Sequence, residues 1–279
     1  MKATLFGNRQ PIPDQEQPLL AAAWRFIRWQ RVPASRLPIR RPAWEATSLL
    51  AFALAYPGLS ALTGLVIRTH PLPILGASYF TSDVWYVLGF KILGLLVVPL
   101  VGMRLLGYRL GELVPDGRLR PRDIVVCILA FAAGALLNSR HFGPIAAAAG
   151  RFGTGAVVTR ATIGLLIPLV SAAIPEELVY RGLLQTRLER VAGRIVAVLL
   201  TALLFTAWHL PSRYLLASGI EGTAGNAPSV LLGTGAPVFV IGLLFGLLYD
   251  RYRRLLPLIA AHWGIDAVVS VGAMLGLPL

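Results

Sequence analysis

The chain has 279 residues, 56% of them hydrophobic and 14% charged, with a mean hydropathy of +0.69, which excludes an ordinary water-soluble domain and points to a polytopic membrane protein. Its single cysteine, Cys127, excludes a disulfide framework and a Cys-based metal centre. The formal charge of +13 comes from basic residues flanking apolar runs, and anionic headgroups and membrane orientation account for it without any nucleic acid.

Residues 1–43 form a Pro- and Arg-rich arm that lacks the apolar core of a signal peptide and is expected on the cytoplasmic side. Within it, residues 19–31 set Trp24, Phe26 and Trp29 beside Arg25, Arg28 and Arg31, which predicts a short amphipathic helix on the membrane surface. The rest, 44–279, is predicted as one all-α domain, a polytopic helical bundle of about seven transmembrane helices, six to eight by the apolar runs.

The first span is 44–67, with a kink expected at Pro57-Gly58. The second, 84–106, carries Lys91, which is expected to snorkel or pair rather than react. A third runs from 124 to about 137, and the Gly- and Ala-rich stretch 138–160 has no clear boundary. The fourth starts near 161 and continues to about Arg190, the fifth ends at His209, and 210–227 reads as a polar excursion. The sixth covers about 228–249 and the seventh about 255–275, with His262 and Asp266. Of the 26 Lys and Arg, twenty fall on the side of the N-terminus and five on the other. That asymmetry predicts a cytoplasmic N-terminus, in an integral membrane protein expected in a bacterial inner membrane.

The stretch from Ser171 to Arg190 puts Glu176, Glu177 and Arg181 at the end of a long apolar run. A carboxylate at mid-bilayer costs about 2.5–3.5 kcal/mol on insertion scales, so an adjacent pair calls for an explanation. Glu177 and Arg181 stand four apart on a helix and can pair, which predicts one neutralised carboxylate and leaves Glu176 free. A turn near residue 193 would fold the fourth and fifth spans into an antiparallel hairpin and bring Glu176 and His209 to similar depth.

Inside apolar segments the acids are Glu176, Glu177 and Asp266, and the histidines are His209 and His262. Residues this costly, gathered in three of the last four spans, predict a functional site lining a polar cavity. The set contains no strong nucleophile, so attack by an activated water, a hydrolysis, is the expected reaction. Without metal, Glu176 takes a proton from water that His209 orients, His262 donates to the oxyanion, and Glu177 with Arg181 holds the helix end. With metal, some of Glu176, His209, His262 and Asp266 ligate one divalent ion such as zinc. The spacing leaves both versions open.

Glu176-Glu177-Leu-Val-Tyr-Arg181 matches EExxxR, Phe205-Thr-Ala-Trp-His209 matches FxxxH, and His262-Trp-Gly-Ile-Asp266 matches HxxxN/D. Over residues 161–275 the chain thereby resembles the CPBP intramembrane proteases, which include type II CAAX prenyl endopeptidases and Abi-like bacterial proteins. The resemblance implies an intramembrane endopeptidase in which Glu176 and His209 activate water and His262 and Asp266 correspond to the oxyanion-stabilising residues. Eukaryotic-type members carry Asn where this chain has Asp266, and an ionised carboxylate cannot donate a hydrogen bond. Asp266 therefore either is protonated, orients His262, or binds metal. The expected partners are membrane lipids and a membrane-associated peptide or protein substrate. The alternative is a noncatalytic membrane interaction or bacteriocin-immunity protein that retains these residues.

Overall fold

The computed structural model describes residues 39–70, 85–113, 121–217 and 221–277, which are helical with no strand among them. Helix α1 is Pro42–Thr69, and α2 is Trp85–Val97 running directly into Val98–Leu105. Helix α3, Pro121–Leu136, bends by 69° through the turn Ser139–His141 into α4, Phe142–Ala149. Then come α5, Thr154–Ala192, α6, Arg194–Leu216, α7, Ala227–Tyr252, and α8, Leu256–Met274. Among the described residues five helices (α1, α5, α6, α7 and α8) are long and apolar enough to cross a membrane, or six if the bent α3–α4 pair is one span. The protein is an all-α polytopic bundle. The arm 1–38, with its expected surface helix 19–31, lies outside the described residues.

Pro57 sits inside α1, which is continuous from Pro42 to Thr69. Two boundaries differ from those expected. The Gly- and Ala-rich stretch contains the bend between α3 and α4 and then the first residues of α5, which begins at Thr154 rather than near 161. Helix α6 does not stop at His209 but runs through Pro211 to Leu216. The polar residues there looked like a loop, yet Ser212 and Arg213 are buried, and Arg213 pairs with Glu221 at 3.0 Å. Arg213 is therefore no solvated loop charge of the outer side.

The expected turn between α5 and α6 is present. Gly193 has φ +79°, which an L side chain rarely adopts, so the helix ends there and the chain folds back.

Two features of packing fix the helices that carry the site. Helix α8 is clamped between α3 and α5 where glycines let backbones touch. A Cβ on Gly264 would lie 2.1 Å from the Phe131 carbonyl oxygen, one on Gly134 would lie 2.0 Å from that of Ala261, and one on Gly164 would meet Val271 Cα at 2.8 Å. Small residues permit such close approach in membrane bundles, where van der Waals contact drives association. Two side-chain bonds lock the crossing: Asn138 Nδ2 donates to the Ile265 carbonyl at 2.8 Å and Trp263 Nε1 to that of Leu165 at 2.7 Å. The second feature is an aromatic cluster joining α1, α2 and α6. Tyr56 stacks on Phe90 at 4.6 Å, donates its hydroxyl to the Phe90 carbonyl at 2.6 Å, and meets Trp208 edge-on at 5.9 Å.

Ion pairs close one end of the bundle. Arg187 of α5 reaches Glu45 at 3.1 Å, and Glu45 also accepts from the Tyr108 hydroxyl at 2.7 Å and the Arg41 amide at 2.8 Å. Arg254 pairs with Asp123 at 2.9 Å.

Candidate active site

From Pro175 to Leu188 every residue of α5 is buried, so this stretch is the central helix of the bundle and has no lipid or solvent face. Its backbone winds in wide π turns over Leu169–Ala173 and Glu177–Gln185, a geometry frequent at functional sites. Burial on all sides means that both carboxylates of the Glu pair point into protein. Each requires its own counter-charge there, because an unpaired buried ion costs several kcal/mol.

Glu177 is paired with Arg181 as the spacing predicts, Oε1 to Nη1 2.9 Å. The pair does more than hold a helix end. The same Oε1 lies 2.8 Å from His262 Nδ1, and because that oxygen already accepts from a guanidinium, Nδ1 carries the proton and donates. Arg181 is fully buried, donates from Nη2 to the Gly242 carbonyl at 3.2 Å, and lies over the rings of Phe205 at 4.4 Å and Phe245 at 5.6 Å. Phe205 thus supports the site from beneath. It also packs edge-on against His209 at 4.9 Å and His262 at 6.2 Å.

The expectation of a free Glu176 is corrected. Its Oε1 is in direct contact with Lys91 Nζ of α2, and both side chains are buried. Lys91 pairs instead of snorkelling, and its ammonium also lies 4.3 Å from the centre of the Trp208 ring. The second oxygen of Glu176, Oε2, stands 3.7 Å from His262 Nε2. Asp266 Oδ2 stands 3.5 Å from the same nitrogen, one helical turn along α8. Three carboxylates therefore ring one imidazole, and of the roles open to Asp266 the distance matches orientation of His262.

His209 Nδ1 is 2.7 Å from the Phe205 carbonyl oxygen one turn back on α6. A carbonyl only accepts, so Nδ1 carries the hydrogen, and in the neutral ring Nε2 is the proton acceptor. The FxxxH spacing thus fixes a tautomer as well as a position.

A cavity of about 220 Å³ is lined by Lys91, Glu176, His209, His262 and Asp266, together with Arg213, Glu221 and His141. All four residues expected to act on substrate border this one space, although they come from three helices. Sequence reading missed four lining residues. Lys91 was assigned away from the site, Arg213 and Glu221 were placed in a loop, and His141 lies in the bend that has no clear pattern. The usable signals were that Lys91 lies deep inside the second span, away from its ends, and that Arg213 follows His209 by four residues.

The donor set does not fit a divalent ion. Among the described residues no three His, Cys, Asp or Glu side chains are arranged to hold a metal. The cationic position beside Glu176 Oε1 is taken by Lys91 Nζ, and Glu177 Oε1 is taken by Arg181 and His262.

No curated protein and no solved structure matches the chain. Residues 157–268 match a family model described as type II CAAX prenyl endopeptidase Rce1-like. The matched segment contains Glu176, Glu177, Arg181, Phe205, His209, His262 and Asp266, and leaves out Lys91 and His141. Residues 157–268, which carry the motif residues bordering this cavity in a helical membrane bundle, are thus similar to the Rce1-like type II CAAX prenyl endopeptidases.

Proposed function

We propose that the protein is an intramembrane endopeptidase that hydrolyses a peptide bond of a membrane-associated protein or peptide with water activated by Glu176 and His209. The observation that carries this reading is the convergence of Glu176, His209, His262 and Asp266 on one cavity from α5, α6 and α8.

Glu176 Oε2 and His209 Nε2 are both acceptors, so a water between them donates one hydrogen to each and turns an oxygen lone pair toward the scissile carbonyl carbon. As that C–O bond forms, Glu176 takes the proton and the carbonyl oxygen becomes an oxyanion. His262, whose Nδ1–H is held on Glu177, donates from Nε2 to that oxyanion in its imidazolium form, balanced by the carboxylates of Glu177 and Asp266 beside it. Collapse of the intermediate breaks the C–N bond, and Glu176 returns its proton to the leaving amine. No step requires a metal ion. The family name supports a lipid-modified C-terminal region as one candidate substrate.

The test is cleavage of a lipid-anchored, internally quenched peptide by the full chain in proteoliposomes. The variants Glu176→Gln and His209→Ala are each expected to lose cleavage by at least about 10²-fold, the lower end for general acid–base groups, while still inserting and unfolding cooperatively. Wild-type rates in both variants would leave the noncatalytic alternative standing.

A further inference from the structure

We propose that Lys91 is a positioning residue of this site: its ammonium grips Glu176 by Oε1 and thereby sets Oε2 toward His262 and the cavity. The inference rests on the peptidase reading above and adds to it a residue outside the matched segment 157–268.

The contact joins side chains 85 residues apart in sequence, each almost wholly buried, at 2% exposure for Lys91 and 1% for Glu176. A lysine that merely snorkelled would place its ammonium at the headgroups. This one is anchored in the interior at both ends. Its backbone neighbour Phe90 is stacked on Tyr56 and takes that residue's hydroxyl hydrogen bond, while its ammonium rests over Trp208.

Trp208 links the two halves of the water-activating pair. Its ring lies 3.7 Å from that of His209, so one indole supports both the cation that holds Glu176 and the imidazole that works with it.

The charges of the site divide accordingly. Arg181 serves Glu177 on the interior side, and its fork is committed there to Glu177 and the Gly242 carbonyl. Glu176, on the cavity side, has Lys91 for its counter-charge. A carboxylate held through one oxygen by a fixed ammonium retains one defined oxygen for the reacting water, and such fixed geometry is what lowers the entropic barrier of an enzymatic step.

The experiment uses the full chain in proteoliposomes with the same lipid-anchored quenched peptide. Lys91→Met, which keeps the length and loses the charge, is expected to lower kcat by about 10²-fold, as misplacement of a reacting group by an ångström can do, with KM nearly unchanged. Lys91→Ala is expected to be inactive and to regain rate when ethylammonium is added. Wild-type kcat in Lys91→Met, beside an inactive Glu176→Gln, overturns the role of Lys91 and leaves the peptidase reading intact. Wild-type kcat in Glu176→Gln overturns both. If Lys91→Met does not fold, the double variant Lys91→Met/Glu176→Gln is expected to fold, since it removes both charges of the pair. Equal loss of folding in the double variant overturns the pairing.

Discussion

One oxygen of Glu177 receives both Arg181 Nη1 at 2.9 Å and His262 Nδ1 at 2.8 Å. The second glutamate of the pair is thus the joint between α5 and α8, and it fixes which imidazole nitrogen faces the cavity.

Removing the cation from that joint strands a buried carboxylate. Arg181→Ala is expected to destabilise the fold by about 3–5 kcal/mol, the cost of breaking a buried pair from one side. Lys in its place cannot both pair with Glu177 and donate to Gly242 in the fork geometry of a guanidinium, so it should recover part of the stability only. Thermal unfolding in detergent measures both. An unfolding midpoint equal to wild type in Arg181→Ala would contradict the buried pair.

Asp266→Asn tests the metal-free chemistry. An amide keeps the shape of the side chain 3.5 Å from His262 Nε2 and supplies a donor. Peptide cleavage is expected to persist within about tenfold of wild type, and chelator treatment should leave the rate unchanged. Loss of activity together with loss of one bound ion per chain, measured by elemental analysis, would require a metal mechanism.

The glycine contacts predict a sharp positional contrast. Gly264→Ala places a methyl 2.1 Å from a backbone oxygen, so it should cost at least about 1–3 kcal/mol, the range for overpacking, and displace His262 and Asp266 on either side of it. Gly58→Ala, with nothing within 4 Å, should not destabilise α1. Unfolding and cleavage assays on the two variants check this.

The Glu45 network predicts an alkaline limit. Burial, together with donation to Glu45, pushes the Tyr108 hydroxyl above its ordinary value of 10.0. A group that binds its proton more tightly when folded contributes stability that is complete below the unfolded value and is lost as pH rises through the folded one. Stability should therefore fall above about pH 10 in wild type more steeply than in Tyr108→Phe, which at neutral pH is expected to be weaker by about 1.5–3 kcal/mol for a hydrogen bond to a charged group. Identical alkaline slopes in the two proteins would remove Tyr108 from the network.

The helical bundle, the hairpin closed near Gly193 and the motif residues on α5, α6 and α8 were legible in the sequence because each depends on local pattern. Glu177 with Arg181, and His262 with Asp266, are spacings that a helix converts directly into neighbours. What escaped depends on contacts between distant segments. Lys91 is an isolated cation in an apolar run, and its partner is 85 residues away. Glu177 looked like a helix-end residue because nothing near it in sequence announces His262. Arg213 and Ser212 have the composition of a loop, yet the interior satisfies them and α6 runs on.

The backbones of α3 and α8 touch at Gly134 and Gly264 with no side chain between them. A seam that tight admits no polypeptide, so any peptide that enters the cavity beside His262 has to do so along some other flank of the bundle.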